Sequence, residues 1–294
     1  MRWVNNLISS RDGRNNDPIY SSFSWNSPEC GELTMLLKVP LETYNYFRMR
    51  RRLLASERTS RSYAVMAADP ASELVLRNVV RRLRSFNCDP MEAVITFVQS
   101  GVRYLRDGIS TGLGEFPRFP LETLVEGGDC EDKSILLANL LRSLGVEGVH
   151  LLFLKDHVAL GVPCSSPNVG DLCYLEASGG YFKVGDVPEG VILPPESVYE
   201  VADLPIPAPL EVNAHFTGGR VSIVGKVVNV GSKEYRGKVF LEVGDSVVGE
   251  EPVALDLDDE AEVSLDSKLP STGRIALKFE GDPLSYEWVI GTIG

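Results

Sequence analysis

Three residues have the types and the order that thiol chemistry needs. They are Cys130 in GGDCEDKS, His157 in DHVALGV and Glu176 in YLEASGG. A thiol, an imidazole and a carboxylate can serve as nucleophile, base and the group that fixes the base's tautomer. Cys130 follows a Gly-Gly turn and opens an apolar run, ILLANLLRSLG. At a helix start the unpaired backbone N–H groups and the helix dipole favour an anion, which lowers a thiol pKa from about 8.5. The Cys130 amide is also placed to stabilise an oxyanion. Gln99, on the preceding helix, carries a neutral amide of the kind that serves as a second donor. Against thiolate formation, Asp129, Glu131 and Asp132 surround the sulfur with negative charge. Either His157 outweighs them or they point into capping bonds at the helix start.

Plainer readings compete. A cysteine on an apolar element is usually a small core residue, and this is the reading for Cys164 and Cys173. His150, near a strand, and His215, in the C-terminal region, read as structural. A thiolate metal site of Cys130, His157 and a carboxylate has no ligand spacing in its favour, so no metal or cofactor is expected.

The elements that must position the three residues can be read from periodicity. Residues 1–19 are polar and read as a loose tail, and 20–39 alternate weakly enough for a strand or two. Pro40 opens a helix, and Asp69-Pro70 and Asp89-Pro90 each give a cap followed by a first-turn proline. A glycine- and proline-containing loop, DGISTGLGEFPRFP, leads to the cysteine. The run after Cys130 is apolar nearly all round, as in a buried central helix, with Gly145 as its stop. HLLFL, HVALGV and CYLEASGG then read as strands, putting His157 and Glu176 near the ends of two neighbours. Helices followed by antiparallel strands give an α+β pattern. A proline-rich linker is expected over 193–209. Beyond it, about seven short alternating runs predict an antiparallel β-sandwich of immunoglobulin size. That gives an N-terminal extension (1–60), a catalytic domain (61–192), the linker and a sandwich domain (210–294).

Composition narrows the function classes. With 44% hydrophobic and 24% charged residues, the chain reads as an ordinary soluble globular protein. A net charge of -12 argues against nucleic acid as partner. Arg48–Arg84 is a basic island, holding ten arginines against three acidic residues. It reads either as a solvated helix face or as a docking patch for an acidic partner. The C-terminal region is its opposite, with eight basic and fifteen acidic residues. No apolar run reaches the length of about 18 that a membrane span needs, and the N-terminus lacks a signal-peptide pattern. Five cysteines, with no C-x-x-C pair, predict a reducing, cytoplasmic setting, with one bridge such as Cys164–Cys173 left open.

FPRFPLETLVEGGDCEDKSILLANLLRSLG, HVALGV and YLEASGGYFKVGDVP together resemble the transglutaminase-like superfamily, in particular its uncharacterised archaeal and bacterial members. FVQSGVRYLRDG resembles the segment upstream of the cysteine. The resemblance covers about residues 90–190. It implies a papain-like α+β core and a Cys130–His157–Glu176 triad, with Glu where classical transglutaminases have Asp. It also implies a polar or aromatic oxyanion partner, for which Gln99 is the candidate. No acidic cluster matches the calcium sites of animal transglutaminases, so calcium is not carried over. The implied activity is attack on an amide of a protein or peptide, completed by hydrolysis or by transfer to an amine. The alternative is a non-catalytic binding or assembly protein that uses its acidic sandwich to engage a protein partner.

Overall fold

Alternation with a period of two organises more of this chain than helical periodicity does. In the computed structural model, residues 17–50, 60–107, 116–229, 231–244, 246–257, 259–268, 273–281 and 285–293 are described. Most of the expected N-terminal tail lies outside these residues. So do Arg51, Arg52 and Arg58 of the basic island and much of the glycine-rich loop before Cys130. The chain divides into two compact units between Ala202 and Asp203.

In the first unit, β1 (Ile19–Ser27) and β2 (Gly31–Val39) form an antiparallel hairpin. Its alternate residues Phe23, Trp25, Leu33 and Met35 are buried. The helices follow: α1 (Leu41–Met49), α2 (Ser60–Ala67), α3 (Pro70–Arg84), α4 (Pro90–Thr96), α5 (Pro120–Glu126) and α6 (Cys130–Leu144). Asp69 and Asp89 cap α3 and α4, accepting from the Ser72 and Met91 amides, and a proline stands in the first turn of each. A four-stranded sheet in the order β5-β4-β3-β6 completes the unit: β3 (His150–Leu154), β4 (His157–Pro163), β5 (Leu172–Leu175) and β6 (Ser197–Glu200).

Helix α6 is the centre of this unit. Ile135, Leu136, Leu137, Ala138, Leu140 and Leu141 are fully buried, each large side chain contributing about 2 kcal/mol over exposure. Gly145 ends the helix in the left-handed region, at φ +96°. The sheet alternates beneath it. Leu151, Leu160, Val162 and Leu175 join the helical core, while Leu152, Leu154, Ala159 and Tyr174 form a second cluster.

The second unit is all strand. Sheet β11-β8-β7 comprises Glu260–Lys268, Arg220–Asn229 and Pro207–Thr217. Sheet β10-β9-β12-β13 comprises Ser246–Leu255, Tyr235–Val243, Gly273–Gly281 and Ser285–Ile293. Val221, Ile223 and Val263 of the one cluster with Val239, Leu241 and Leu277 of the other.

The expected fold class, a papain-like α+β core followed by an immunoglobulin-like β-sandwich, is corrected by these proportions. Strand makes up 42% of the structure and helix 27%, so the chain is β-rich, built on several small sheets without a helix-rich papain-like core. Two features account for the difference. The helices expected from Pro40 and from Asp89-Pro90 run to only 9 and 7 residues. Segments 19–39 and 197–200, which read weakly or as linker, are strands.

The cysteines need a second correction. Cys30 is bonded to Cys88 and Cys164 to Cys173, leaving Cys130 as the one free thiol. Two disulfides count against the reducing, cytoplasmic setting and against Cys164 and Cys173 as simple core residues. Among the described residues no helix is long and apolar enough to cross a membrane. Arg48, Arg50 and Arg84 of the basic island are engaged within the chain. Arg50 pairs with Asp69 at 2.8 Å and lies over the Phe119 ring, Arg48 faces Glu122 and Glu126, and Arg84 donates to the Leu144 carbonyl.

Candidate active site

The turn before Cys130 is built around two glycines. Gly127 has φ +90°, and a Cβ there would sit 2.6 Å from the Arg103 carbonyl oxygen. A Cβ on Gly128 would meet the Asp132 side chain, whose Oδ2 would lie 2.6 Å away. Only glycine lets Asp132 fold back under the turn. Segment 103–105 runs alongside: the Gly128 amide donates to the Arg103 carbonyl, and the Leu105 amide donates to the Gly128 carbonyl at 2.9 Å. Tyr104 thus stands beside the turn and is 46% exposed.

The acidic collar divides three ways. Asp132 is fully buried and bonds Arg118, taking its guanidinium on Oδ2 and its backbone amide on Oδ1 at 2.7 Å. Arg118, also fully buried, reaches Asp107 at 2.6 Å as well, and these carboxylates hold it firmly charged against the opposing effect of burial. Asp129 occupies the cap position of α6 but makes no side-chain capping bond. Glu131 accepts the Cys130 thiol, Sγ to Oε2, at 3.3 Å. The expected capping role of the collar is therefore not what these carboxylates do. Carboxylate oxygens of Asp107, Asp129 and Glu131 lie within 4.8 Å of one another. Burial, and then Asp129, push the Glu131 carboxyl far up.

The sulfur feels the same field. Burial pushes the Cys130 thiol up to about 12, and Glu131 and Asp129 add to it, while a hydrogen bond from the Val158 backbone pulls the other way. The helix-start effect expected from sequence is thus outweighed, and at rest Cys130 is a neutral thiol. Burial, and after it the neighbouring Cys130 and Asp129, also raise the Tyr104 phenol.

The base half is fully bonded. His157 opens β4, and Glu176 follows β5, the neighbour of β4. His157 Nε2 lies 3.0 Å from Glu176 Oε2. The same oxygen accepts from the Tyr174 hydroxyl at 2.6 Å. Oε1 accepts from the Ala177 and Ser178 amides and the Ser178 hydroxyl, at 3.0, 2.8 and 2.9 Å. Burial alone would raise this carboxyl, but the bonds from His157 and Tyr174 outweigh it and hold Glu176 down to about 2. With Nε2 turned to a carboxylate, Nδ1 is the nitrogen left as proton acceptor.

Helix α6 and strand β4 lock together next to this pair. The Ser134 hydroxyl donates to the Val158 carbonyl at 2.9 Å, one turn along from the Val158 bond to Cys130. Cys130 therefore lies beside the residue next to His157. Its own thiol bonds Glu131, and among the described residues no hydrogen bond joins it to His157.

Gln99 is not placed as an oxyanion donor. Its Nε2 donates to the carbonyls of Glu176 and Phe182, at 2.9 and 3.0 Å, and its Oε1 accepts from the Phe182 amide. Both amide protons are committed. The sequence reading missed Tyr174, although a residue two before Glu176 shares its strand face. His150 bonds the Gly148 carbonyl, as a structural histidine does.

No family model matches the sequence, and no curated protein matches it at a significant level. Among solved structures, a β-glucosidase of Streptomyces venezuelae is 14% identical, over 31% of this chain and 15% of its own, with a TM-score of 0.23. A β-glucosidase of Erythrobacter marinus is 15% identical over 37% and 18%, at 0.23. Red sea bream transglutaminase is 10% identical over 92% of this chain and 61% of its own, at 0.25. The chain thus spans less than two thirds of each, and likenesses at this level carry no argument about activity.

Proposed function

We propose that this chain is a thiol-dependent amide-bond enzyme, with Cys130 as nucleophile, His157 as base and Glu176 as the group that orients the base. One observation carries the reading. The His157–Glu176 pair lies immediately beside Val158, to which the helix opened by the only free cysteine is bonded through Ser134. Rotation of the Cys130 side chain from Glu131 toward His157 Nδ1 starts the reaction. The thiol proton passes to the imidazole as sulfur attacks the amide carbon, and the leaving amine takes that proton. The resulting thioester is cleaved by water or a second amine, whose proton returns through His157 to the departing thiolate. The Cys130 amide, at the first position of α6, is one oxyanion donor. In this reading the Tyr104 phenol is the second. The substrate is a protein or peptide amide. A thiol-selective activity probe tests the assignment, with Cys130→Ser as control. Absence of Cys130-dependent labelling and of amide turnover would sink it.

A second reading draws on the thiol's raised pKa and its bond to Glu131: a binding protein whose site is silent, engaging a partner through the acidic second unit. Salt-dependent association without Cys130-dependent labelling would favour it.

A further inference from the structure

We propose that Gln99 is a positioning residue that fixes Glu176 relative to the nucleophile's helix, with Lys133 as its anchor. Helix α4 does not end in a regular last turn. It passes into a π-turn over Phe97–Gly101, in which the Val102 amide reaches back five residues to the Phe97 carbonyl at 2.9 Å. A wide turn of this kind leaves carbonyls at its end without an amide partner. Lys133, one turn along α6 from Cys130 and 1% exposed, supplies the donors. Its Nζ bonds the Gln99 and Val102 carbonyls, both at 3.1 Å. The Gln99 side chain, 3% exposed, then holds the Glu176 carbonyl and both backbone groups of Phe182.

The connection is continuous: α6, Lys133, the Gln99 backbone, the Gln99 amide, the Glu176 backbone. No other residue type fits at position 99 as well. The site requires two donors and one acceptor on one flat group, which is the inventory of a primary amide. A hydrophobic residue of the same length leaves one buried and two half-buried backbone groups unmet. The hairpin packs the π-turn from outside. Trp25 and Phe97 have ring centroids 5.1 Å apart, and Trp25 Nε1 donates to Thr96 Oγ1. The turn is thus held on three sides, and the free end of the connection is the segment that carries Glu176.

The inference rests on Glu176 being the orienter of His157, and it is tested without a substrate. Proton NMR reads the downfield signal of the His157 Nε2–H held by Glu176, and alkylation by iodoacetamide reads Cys130. Gln99→Met is expected to lose the NMR signal and slow alkylation about tenfold, with Gln99→Asn between it and wild type. Asn139→Ala is the control. Asn139 is buried on the same α6, bonds the Ala67 carbonyl, and lies outside the connection. It is expected to lower thermal stability yet keep both readouts. A folded Gln99→Met that keeps signal and rate overturns the inference, as does equal loss of both in Asn139→Ala. If Gln99→Met fails to fold, Gln99→Asn carries the same test. A wild type without the downfield signal overturns it too. A wild type with the signal and its Gln99 dependence, but no amide turnover, upholds the positioning role and removes the enzyme reading alone.

Discussion

The two halves of the candidate site are in opposite states. On the base side every oxygen lone pair of Glu176 has work: five donors converge on one buried carboxylate, and His157 is held in a single tautomer. On the nucleophile side a neutral thiol faces carboxyl groups that oppose its ionisation. In the proposed enzyme the base is assembled in advance, and the nucleophile is held back. On that proposal, activation takes a side-chain rotation at Cys130 and a change in the field of Asp129 and Glu131, with no rebuilding of the sheet.

Four perturbations break or sharpen that contrast. The largest effect is expected from Glu176→Ala, which strands buried donors and frees the imidazole. Cys130-dependent turnover should fall at least about 10³-fold, and chemical denaturation should show a loss of roughly 3–5 kcal/mol. A stable, active variant would mean the base side is not preassembled.

Acid titration comes next. Glu176 is held at about 2 instead of the ordinary 4.5, so between those values the folded state binds fewer protons than the unfolded chain. Its contribution is complete above about pH 4.5 and disappears as the pH falls toward 2. It amounts to roughly 3 kcal/mol. Urea midpoints of wild type and Glu176→Gln, compared from pH 6 to 2.5, should converge at the acid end; a constant gap would contradict this.

Glu131→Gln acts on the other half. Removing the carboxyl that accepts the thiol and opposes its ionisation should lower the Cys130 pKa and raise the alkylation rate at pH 7 about tenfold. Because the folded-state carboxyl of Glu131 is shifted upward, folding loses stability as pH rises above its unfolded value. The variant should gain relative to wild type at pH 8, and a slower-reacting thiol would refute the holding role. The smallest effect belongs to Tyr174→Phe, which removes one of the five donors. About 1 kcal/mol of stability and a several-fold change in turnover are expected, and a loss as large as that of Glu176→Ala would show that the donors do not share the load.

The sequence made some of this legible. Glycines followed by an apolar run announced the Cys130 turn and its helix, because conformational freedom and burial both leave residue-type signatures. The strand reading placed His157 and Glu176 at neighbouring strand ends. What it misread depends on partners far along the chain. Cys30 and Cys88 are 58 residues apart, and pairing at that distance has no local pattern. Gln99 was singled out for a chemistry its hydrogen bonds do not permit, since composition says which groups an amide offers but not where they go. The collar looked like helix caps, yet Asp132 is drawn off by Arg118, fourteen residues earlier. The β-rich balance escaped because short amphipathic runs read as longer helices than they form.

The π-turn at Phe97–Gly101 has a consequence in the language of insertions and deletions. A residue added to a helix without adding a turn rotates everything after it by about 100°. Such a turn acts as a phase shifter, setting the angular position of one stretch of chain against another without altering composition. Deleting Ser100, an exposed residue that no substitution scan would single out, should restore the α phase and swing the chain that runs on to Tyr104. In this protein a one-codon loss at an apparently idle position should do more damage than most replacements in the core.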